Sequence, residues 1–374
     1  MIQALLHRPR TLWLRKIIFQ IHLWLGLLIA LYVVVIALSG SVLVFQQEIR
    51  QATLKQAAFD PSQTASLQTA ISAAQNLHIG KLTYIALPQQ PSPWWSFYLE
   101  DAHGKTRTIY ADARTAQQLS ASRHLFIDWV EDLHIYLLAG HSGFVVNCSL
   151  GICMLLVTLS GIVLWWPGIE QCKRALTICC SKGWKRMNYD LHHAVGFWTL
   201  LIVSWWSLTA IYFLFPAQVA GIVNRLSPLE GMKQPAPAAV AHKTETTIAS
   251  PNTILQNAQR ISPGFVSGIS LPEEAGGNFT VFVDQRRPGD FSHRDVDVFD
   301  GHSGALLSQW HYGQNHTLGD WLLWLVYPLH FGTLWGLPVK ILWSCLGLCL
   351  ASLSLSGVLM YWNRVLARRF RARA

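Results

Sequence analysis

The sequence predicts a mainly α-helical membrane protein, a four-helix transmembrane bundle with two small α+β modules on its outer side. The 374-residue chain is 51% hydrophobic and 13% charged, with a mean hydropathy of +0.28, whereas soluble domains carry about a quarter charged residues. Four apolar segments are each long enough to cross a bilayer, which needs about 20 residues. Because these segments and their connections repeat along the chain, the bundle is predicted to arise by tandem duplication.

The apolar segments predict spanning helices at about 17–45, 144–166, 191–215 and 339–362. The first lacks a cleavage pattern at its end and is therefore predicted to be a span rather than a signal peptide. Basic residues precede the first span, separate the second from the third and follow the fourth, so the positive-inside rule places both termini and the middle loop in the cytosol. The net charge of +9 is then explained by the membrane, and no nucleic-acid partner is expected.

These assignments divide the chain into eight parts. They are the N-terminus with the first span (1–45), outer module 1 (46–142), the second span (143–166), a cytosolic loop (167–190), the third span (191–215), outer module 2 (216–338), the fourth span (339–362) and a basic cytosolic tail (363–374). Basic residues that set this orientation are Arg8, Arg10, Arg15, Lys16, Lys173, Arg174, Lys182, Lys185, Arg186, Arg364, Arg368, Arg369, Arg371 and Arg373.

The two long outer connections resemble each other. Each begins with a helical pattern, at 64–77 and 251–260, and continues with alternating segments typical of strands. The predicted strands are 82–87, 94–99, 106–111, 268–271, 278–284 and 294–299. Each series reaches an Asp-initiated turn, at 112–116 and 300–304, where a hairpin into a further strand is expected. Each module is too small to be very stable alone, and a stretch rich in Pro and Ala (235–240) leads into the second.

Four histidines occupy matched positions near the ends of the spans. His22 and His192 are each followed by a glycine four residues later and by Ser39-Gly40 or Thr209-Ala210 at equal distances. His134 and His330 precede the second and fourth spans and are followed at equal spacing by Gly151 and Gly161 or by Gly347 and Gly357. Both halves begin in the cytosol, so the repeats are expected to be related by a pseudo-two-fold axis along the membrane normal.

Such an axis would bring equivalent histidines together, His22 with His192 and His134 with His330. Two imidazoles from opposite helices are suited to ligate one haem iron, so the pattern predicts two bis-histidine b-type haems. Ionisable residues within membranes are usually functional, although a histidine at this depth can also anchor the interface, and glycines can serve helix packing alone. The absence of Cys-x-x-Cys-His argues against covalent haem, and no zinc, phosphate-loop or dinucleotide motif is present.

Other residues are weaker candidates. His193 adjoins His192, but the glycine register favours His192 as the ligand. His141 has Leu337 as its repeat counterpart and could serve a substrate or a haem propionate. His311 and His316 are expected to be solvated, with a minor role in metal binding as the alternative. Trp94 and Trp95 are expected in a core, the alternative being a platform for a bulky external ligand.

The chain resembles the PepSY-associated transmembrane proteins, which include inner-membrane reductases of ferric siderophores. The resemblance lies in the histidine ahead of each span, the Leu-Ser-Gly-x-x-x-x-Trp-Trp-Pro ending at 159–167 and the Asp turns at 112–116 and 300–304. The fourth span departs from it by ending Tyr361-Trp362-Asn363. The resemblance implies PepSY-like periplasmic modules, a bacterial inner-membrane location, an iron-transport role and a ferric siderophore as substrate.

Together these features predict an oxidoreductase that carries electrons across the membrane. Cytosolic segments are too short for a flavin or nicotinamide domain, so electrons would come from a quinol or a separate cytosolic reductase. They would reduce a ferric siderophore in an acceptor site formed or covered by the outer modules and release Fe(II). One alternative is a regulatory or binding protein, such as a peptidase inhibitor or sensor, without redox activity. Another is a carrier of haem or siderophore, for which four unbroken helices leave little room.

Overall fold

A computed structural model describes residue 7 and residues 13–54, 60–119, 125–238 and 248–367. The chain divides into a membrane unit (Met1–Phe45, Trp129–Ala220 and Pro328–Ala374) and a sheet unit (Gln46–Asp128 and Gly221–Tyr327). Of the predicted features, Arg8, Arg10, the tail beyond residue 367 and the last two residues of the stretch 235–240 lie outside the described residues.

The helices follow in chain order. They are α1 (Trp13–Leu43), α2 (Gln46–Leu54), α3 (Leu67–Gln75), α4 (Phe126–Tyr136), α5 (Gly140–Trp165), α6 (Cys172–Ala175), α7 (Trp184–Leu214), α8 (Pro216–Leu226), α9 (Pro251–Ile261), α10 (Leu318–Trp324), α11 (Val326–Phe331) and α12 (Leu337–Tyr361). The strands are β1 (Lys81–Ala86), β2 (Trp94–Glu100), β3 (Thr106–Asp112), β4 (Phe265–Ser270), β5 (Phe279–Asp284), β6 (Arg294–Phe299) and β7 (Leu306–Tyr312).

The prediction of four spanning helices is confirmed, since α1, α5, α7 and α12 are each long and apolar enough to cross a membrane. α1 and α7 have 31 residues each, so at about 1.5 Å per residue both exceed the hydrocarbon core of roughly 30 Å. Apolar side chains on the outside of the bundle suit contact with lipid. Small residues on the inside let neighbouring helix backbones approach each other closely. A Cβ on Gly151 would clash with Ala210 of α7, and one on Gly347 would clash with Ser41 of α1.

The short helices α4 and α11 carry His134 and His330, and each ends before the span that follows. Between α4 and α5, Leu137 and Leu138 both have positive φ, at 48° and 61°. After α11, Gly332 and Gly336 have φ of 66° and 73°. These left-handed residues break the helix path. The two histidines therefore lie on separate helices, and not at the start of the spans themselves.

The strands of the two long connections form one seven-stranded antiparallel sheet, with the order β3-β2-β1-β4-β5-β6-β7. The two sets join where β1 pairs with β4, with Ile85 opposite Ile269. The sequence predicted two small α+β modules, and their strands share one sheet. The continuous sheet has a physical reason, because a three- or four-stranded module buries little apolar surface alone, whereas pairing at β1 and β4 covers one edge of each set.

Helices α3 and α9 pack on one face of this sheet and close its core. Both begin in the same way: Ser66 Oγ accepts from Thr69 N at 3.1 Å, and Ser250 Oγ accepts from Thr253 N at 3.2 Å, as N-cap residues do. Apolar side chains of the two helices and of six strands form a common cluster, which includes Ile71, Ile254, Ile85, Phe97, Ile109, Ile269, Val281 and Phe299. The sheet unit thus has a single shared core.

The two Asp turns have the same geometry. Ala116 N donates to Asp112 O, and Gly304 N donates to Asp300 O, both at 2.9 Å. The last residue of each turn is left-handed, with φ of 56° at Ala116 and 72° at Gly304. After the second turn the chain forms β7, as expected. After the first, the described residues form only one bridge, between Ala111 and Gln118.

Candidate metal centres

The four spanning helices form a closed ring within the membrane unit. α1 packs against α5 and α12, and α7 packs against the same two helices. α1 and α7 therefore occupy opposite corners of the ring, as do α5 and α12. Side chains of α1 and α7 that point inward face each other across the interior, which is the arrangement that a ligand held from both sides requires.

His22 of α1 and His192 of α7 face each other in this way. Their ring centroids are 6.4 Å apart and their planes are perpendicular. Both rings are partly buried in the bundle, so neither can be a freely solvated side chain. The predicted first pair is thus brought together in the structure.

Each of these two rings is held in place by polar contacts between its Nδ1 and the neighbouring helix. His22 Nδ1 lies 3.0 Å from Ser160 Oγ and 3.1 Å from the Val157 carbonyl of α5. His192 Nδ1 lies 2.8 Å from Ser356 Oγ and 3.1 Å from the Leu353 carbonyl of α12. The partners are equivalent in the two halves, and in both cases Nδ1 contacts a neighbouring helix, α5 or α12.

His134 and His330 are the second predicted pair, and they make matched contacts with α1 and α7. His134 Nδ1 lies 3.0 Å from Ser39 Oγ of α1, and His330 Nδ1 lies 2.6 Å from Thr209 Oγ1 of α7. Along α1, Ser39 is 17 residues beyond His22, which corresponds to roughly 25 Å of helix. The two pairs therefore lie near opposite ends of the bundle.

The contacts of Nδ1 determine which ring nitrogen carries the proton. Ser160 Oγ donates to the Val157 carbonyl and Ser356 Oγ to the Leu353 carbonyl, both at 2.8 Å. Ser39 Oγ donates to the Val35 carbonyl and Thr209 Oγ1 to the Trp206 carbonyl, again at 2.8 Å. The Val157, Leu353 and Ile36 carbonyls beside His22, His192 and His134 can only accept, so Nδ1 is the donor in these three rings. Thr209 Oγ1, whose hydrogen goes to the Trp206 carbonyl, accepts from His330 in the same way. In each neutral ring Nε2 then carries a free lone pair, as a metal ligand requires.

A small residue follows each of these hydroxyl residues and leaves space for the ring. A Cβ added to Gly161 would come within 3.5 Å of His22 Cε1, and one on Gly357 within 3.4 Å of His192 Cε1. A Cβ on Gly40 would come within 3.0 Å of His134 Cε1. Gly40, Gly161 and Gly357 thus leave room for the imidazoles that lie against them. The preceding hydroxyl residues were missed as site residues, although their equal spacing from the histidines could have identified them.

A cavity of about 2160 Å³ surrounds the first pair and is lined by His22, His192 and residues of all four spans. This exceeds the roughly 300–1,000 Å³ of ordinary small-molecule sites. The indole Nε1 of Trp165, which lines it, is buried without a hydrogen-bond partner in the described part of the chain. Cationic side chains also line it, namely Arg15, Lys16, Arg174, Lys185, Arg186 and Arg364.

The two weaker histidine candidates of the membrane unit, His193 and His141, contact aromatic rings. His193 lines the same cavity but packs on Tyr189, with ring centroids 4.2 Å apart, and the hydroxyl contact belongs to His192. His141 lies near Phe144 at the start of α5. Among the described residues, no group of three or more His, Cys, Asp or Glu side chains is placed to hold a metal ion. The candidate donors at each end are the imidazoles of His22 and His192 and of His134 and His330.

Three of the weaker candidates, one histidine and two tryptophans, belong to the sheet unit. His311 Nδ1 contacts Asp295 Oδ1 at 2.6 Å across β6 and β7. Trp94 and Trp95 are each only 2% exposed, and Trp95 Nε1 donates to the Ala113 carbonyl. The expectation that both tryptophans belong to a core is confirmed, and the alternative of an exposed platform is wrong.

The comparison with known families agrees with the four spanning helices. The model of the family described as "PepSY-associated TM region" matches residues 19–364, from within α1 to just beyond α12. The chain belongs to this family of membrane proteins. No curated protein matches the sequence.

Proposed function

We propose that the protein holds two b-type haems, one between His22 and His192 and one between His134 and His330, and conducts electrons across a bacterial inner membrane. The observation that supports this most strongly is that all four imidazoles are fixed through Nδ1, which leaves every Nε2 available to an iron. The acceptor that we infer, from the resemblance to ferric-siderophore reductases, is a periplasmic ferric siderophore, which releases Fe(II) when reduced.

The residues around the first pair fit a haem. Two metal–nitrogen bonds of about 2 Å each separate facing imidazole centres by roughly 6 Å, and the observed separation is 6.4 Å. The cavity has room for a macrocycle. A haem carries two carboxylates, for which the cationic residues and the Trp165 indole at the cavity wall are suitable partners.

When bound, haem iron accepts and gives up one electron at a time. The chain's own contribution is to hold the iron from both sides, to exclude water with apolar spans and to keep the two sites apart along the bundle. The matched contacts in the two halves support a tandem duplication. The basic flanks support an orientation with both termini cytosolic, so electrons from a quinol or a cytosolic reductase would enter at His22 and His192.

Absorption spectroscopy of the purified protein tests the haem assignment. We expect low-spin b-type bands and a haem content of two per chain. His134→Ala and His330→Ala should each lose the same one haem and keep the other, because each removes half of one ligand pair. His311→Ala, which alters a histidine of the sheet unit, should keep both. Absence of haem from the wild-type protein would overturn the proposal and favour a regulatory or binding protein.

The electron acceptor is tested separately. The haems of the wild-type protein are reduced, a ferric trihydroxamate siderophore is added under anaerobic conditions, and Fe(II) is trapped with a colorimetric chelator. Reoxidation of the haem bands with matching formation of Fe(II) is expected. Haems that stay reduced would contradict the inferred substrate while leaving the di-haem assignment in place.

A further inference from the structure

The four hydroxyl groups behind the histidines form a repeated set that the histidine pattern did not include. Ser160 and Ser356 hold the first pair, and Ser39 and Thr209 hold the second. Each hydroxyl donates to a carbonyl of its own helix and accepts from an imidazole of a different element. Ordinary membrane-helix packing requires Ser or Thr to satisfy only the first of these contacts.

We propose that these hydroxyl groups are positioning residues that set the tautomer, the orientation and the electron-donating strength of each haem ligand. This inference rests on the proposed function. An acceptor on Nδ1–H draws that proton away from the ring, so Nε2 becomes a stronger donor to iron. A stronger donor stabilises the ferric form, so each hydroxyl lowers the reduction potential of its own site. Loss of such an outer partner typically costs about 10–100-fold in metal affinity.

The four contacts are not equally supported, which makes the proposal specific. His22 and His192 each have a backbone carbonyl, from Val157 or Leu353, as a second Nδ1 partner. His134 likewise has the Ile36 carbonyl. For His330, Thr209 Oγ1 is the one Nδ1 partner found in the described part of the chain, and at 2.6 Å it is also the shortest of the four contacts. Removing the Thr209 hydroxyl should therefore have the largest effect.

The central experiment replaces Thr209 with Val, which keeps the shape of the side chain and removes only the hydroxyl. Thr209→Ser restores the hydroxyl and should behave like the wild type. Ser207→Ala is the matched control, because Ser207 lies on the same helix, is buried, and donates to the Val203 carbonyl without touching a histidine. Haem content, electron paramagnetic resonance and a potentiometric titration are recorded for each protein.

We expect Thr209→Val to weaken haem retention at one site by about 10–100-fold, or to raise the potential of that site alone with altered resonance g-values. The other site should keep its wild-type values, and Thr209→Ser and Ser207→Ala should keep both. Ser160→Ala should give a smaller shift at the other site, because the Val157 carbonyl still accepts from His22 Nδ1. These readouts do not depend on turnover of a substrate.

Two wild-type haems together with unchanged spectra and potentials in Thr209→Val would overturn the inference and leave the proposed function intact. Equal changes in Thr209→Val and Ser207→Ala would also overturn it, since a packing defect alone would then explain both. A wild-type protein without haem overturns the inference and the proposed function together. If gel filtration shows that Thr209→Val does not fold, Ser39→Ala replaces it. We then expect a smaller shift in the reduction potential of the same site, and an unchanged potential would contradict the inference.

Discussion

In the first half of the chain, His134 is held by Ser39 and lies over Gly40, whereas in the second half His330 is held by Thr209, which Ala210 follows. The hydroxyl is present in both halves, although its residue differs. The small residue differs as well. The comparison indicates that the hydrogen bond to Nδ1 is the constrained feature, while the neighbouring volume has some freedom.

At its two Asp turns, the sheet unit likewise keeps one geometry in both halves although the residues differ. Ala116 and Gly304 both close a turn through an N–H···O bond of 2.9 Å and both are left-handed. Glycine adopts that conformation without a steric penalty, and alanine does not. The backbone geometry is therefore kept in both halves even where one residue is less suited to it.

The largest expected effect is at the first histidine pair, where each half supplies one proposed ligand. His22→Ala and His192→Ala should both remove the same haem completely, because a single imidazole remains in either variant. His193→Ala is the matched control from the adjacent position, and it should keep two haems since its neighbour makes the contact with Ser356. Haem content measured after purification checks this.

A reversed result, with His193→Ala losing the haem and His192→Ala keeping it, would mean that the two halves are not equivalent at this position. The pairing of His22 with His192 would then be wrong. A loss in His22→Ala alone would point to the same conclusion.

Much of this fold could be predicted from sequence, because lipid imposes a strong constraint. A span needs about 20 apolar residues, and the four segments that meet this requirement are helices. Alternation likewise located strands such as β2 and β6. Pairing of β1 with β4 could not be predicted, since it joins residues far apart in the chain and leaves no local pattern. The start of α7 at Trp184 could not be predicted either, because the first turns of this helix are polar and therefore lack the apolar pattern of a span.

The site was predicted only in part for similar reasons. Equal spacing identified the four histidines and the glycines, since both features repeat along the chain. The contact of His22 with Ser160 depends on two helices being neighbours, which no single-segment pattern contains. The placement of His134 on its own short helix depends on Leu137 and Leu138 being left-handed, and leucine gives no signal for that conformation.

An intermediate effect, on stability, is expected when an Asp that precedes His134 or His330 is replaced. Asp128 is held by side chains, those of Arg50 and Tyr110. Asp320 instead accepts from backbone N–H groups of residues 230–232 and 316–317. Burial acts to raise the pKa of Asp320, and these backbone donors outweigh it and bring the pKa down to about 2.

Because the folded pKa of Asp320 lies below the unfolded value of about 3.9, its stabilisation is present above pH 4 and is lost as the pH falls towards 2. Asp320→Asn should destabilise the protein at pH 7 by roughly 1.5–3 kcal/mol, the contribution of hydrogen bonds to a charged group. Thermal unfolding of both proteins should show this gap narrowing below pH 4. A gap that is constant with pH would show that the carboxylate charge is not what stabilises this region.

The smallest effect tests the Asp turns directly. Gly304→Ala puts a Cβ on a residue with φ of 72°, 3.3 Å from Asn257 Nδ2, and should cost about 1–2 kcal/mol from the left-handed conformation alone. Ala116→Gly relieves that strain in the first half but removes a methyl group that is only 1% exposed, worth about 0.8 kcal/mol, so little net change is expected. Denaturant unfolding followed by tryptophan fluorescence measures both. Equal destabilisation by the two changes would mean that packing around the turn, and not backbone conformation, limits the residue at this position.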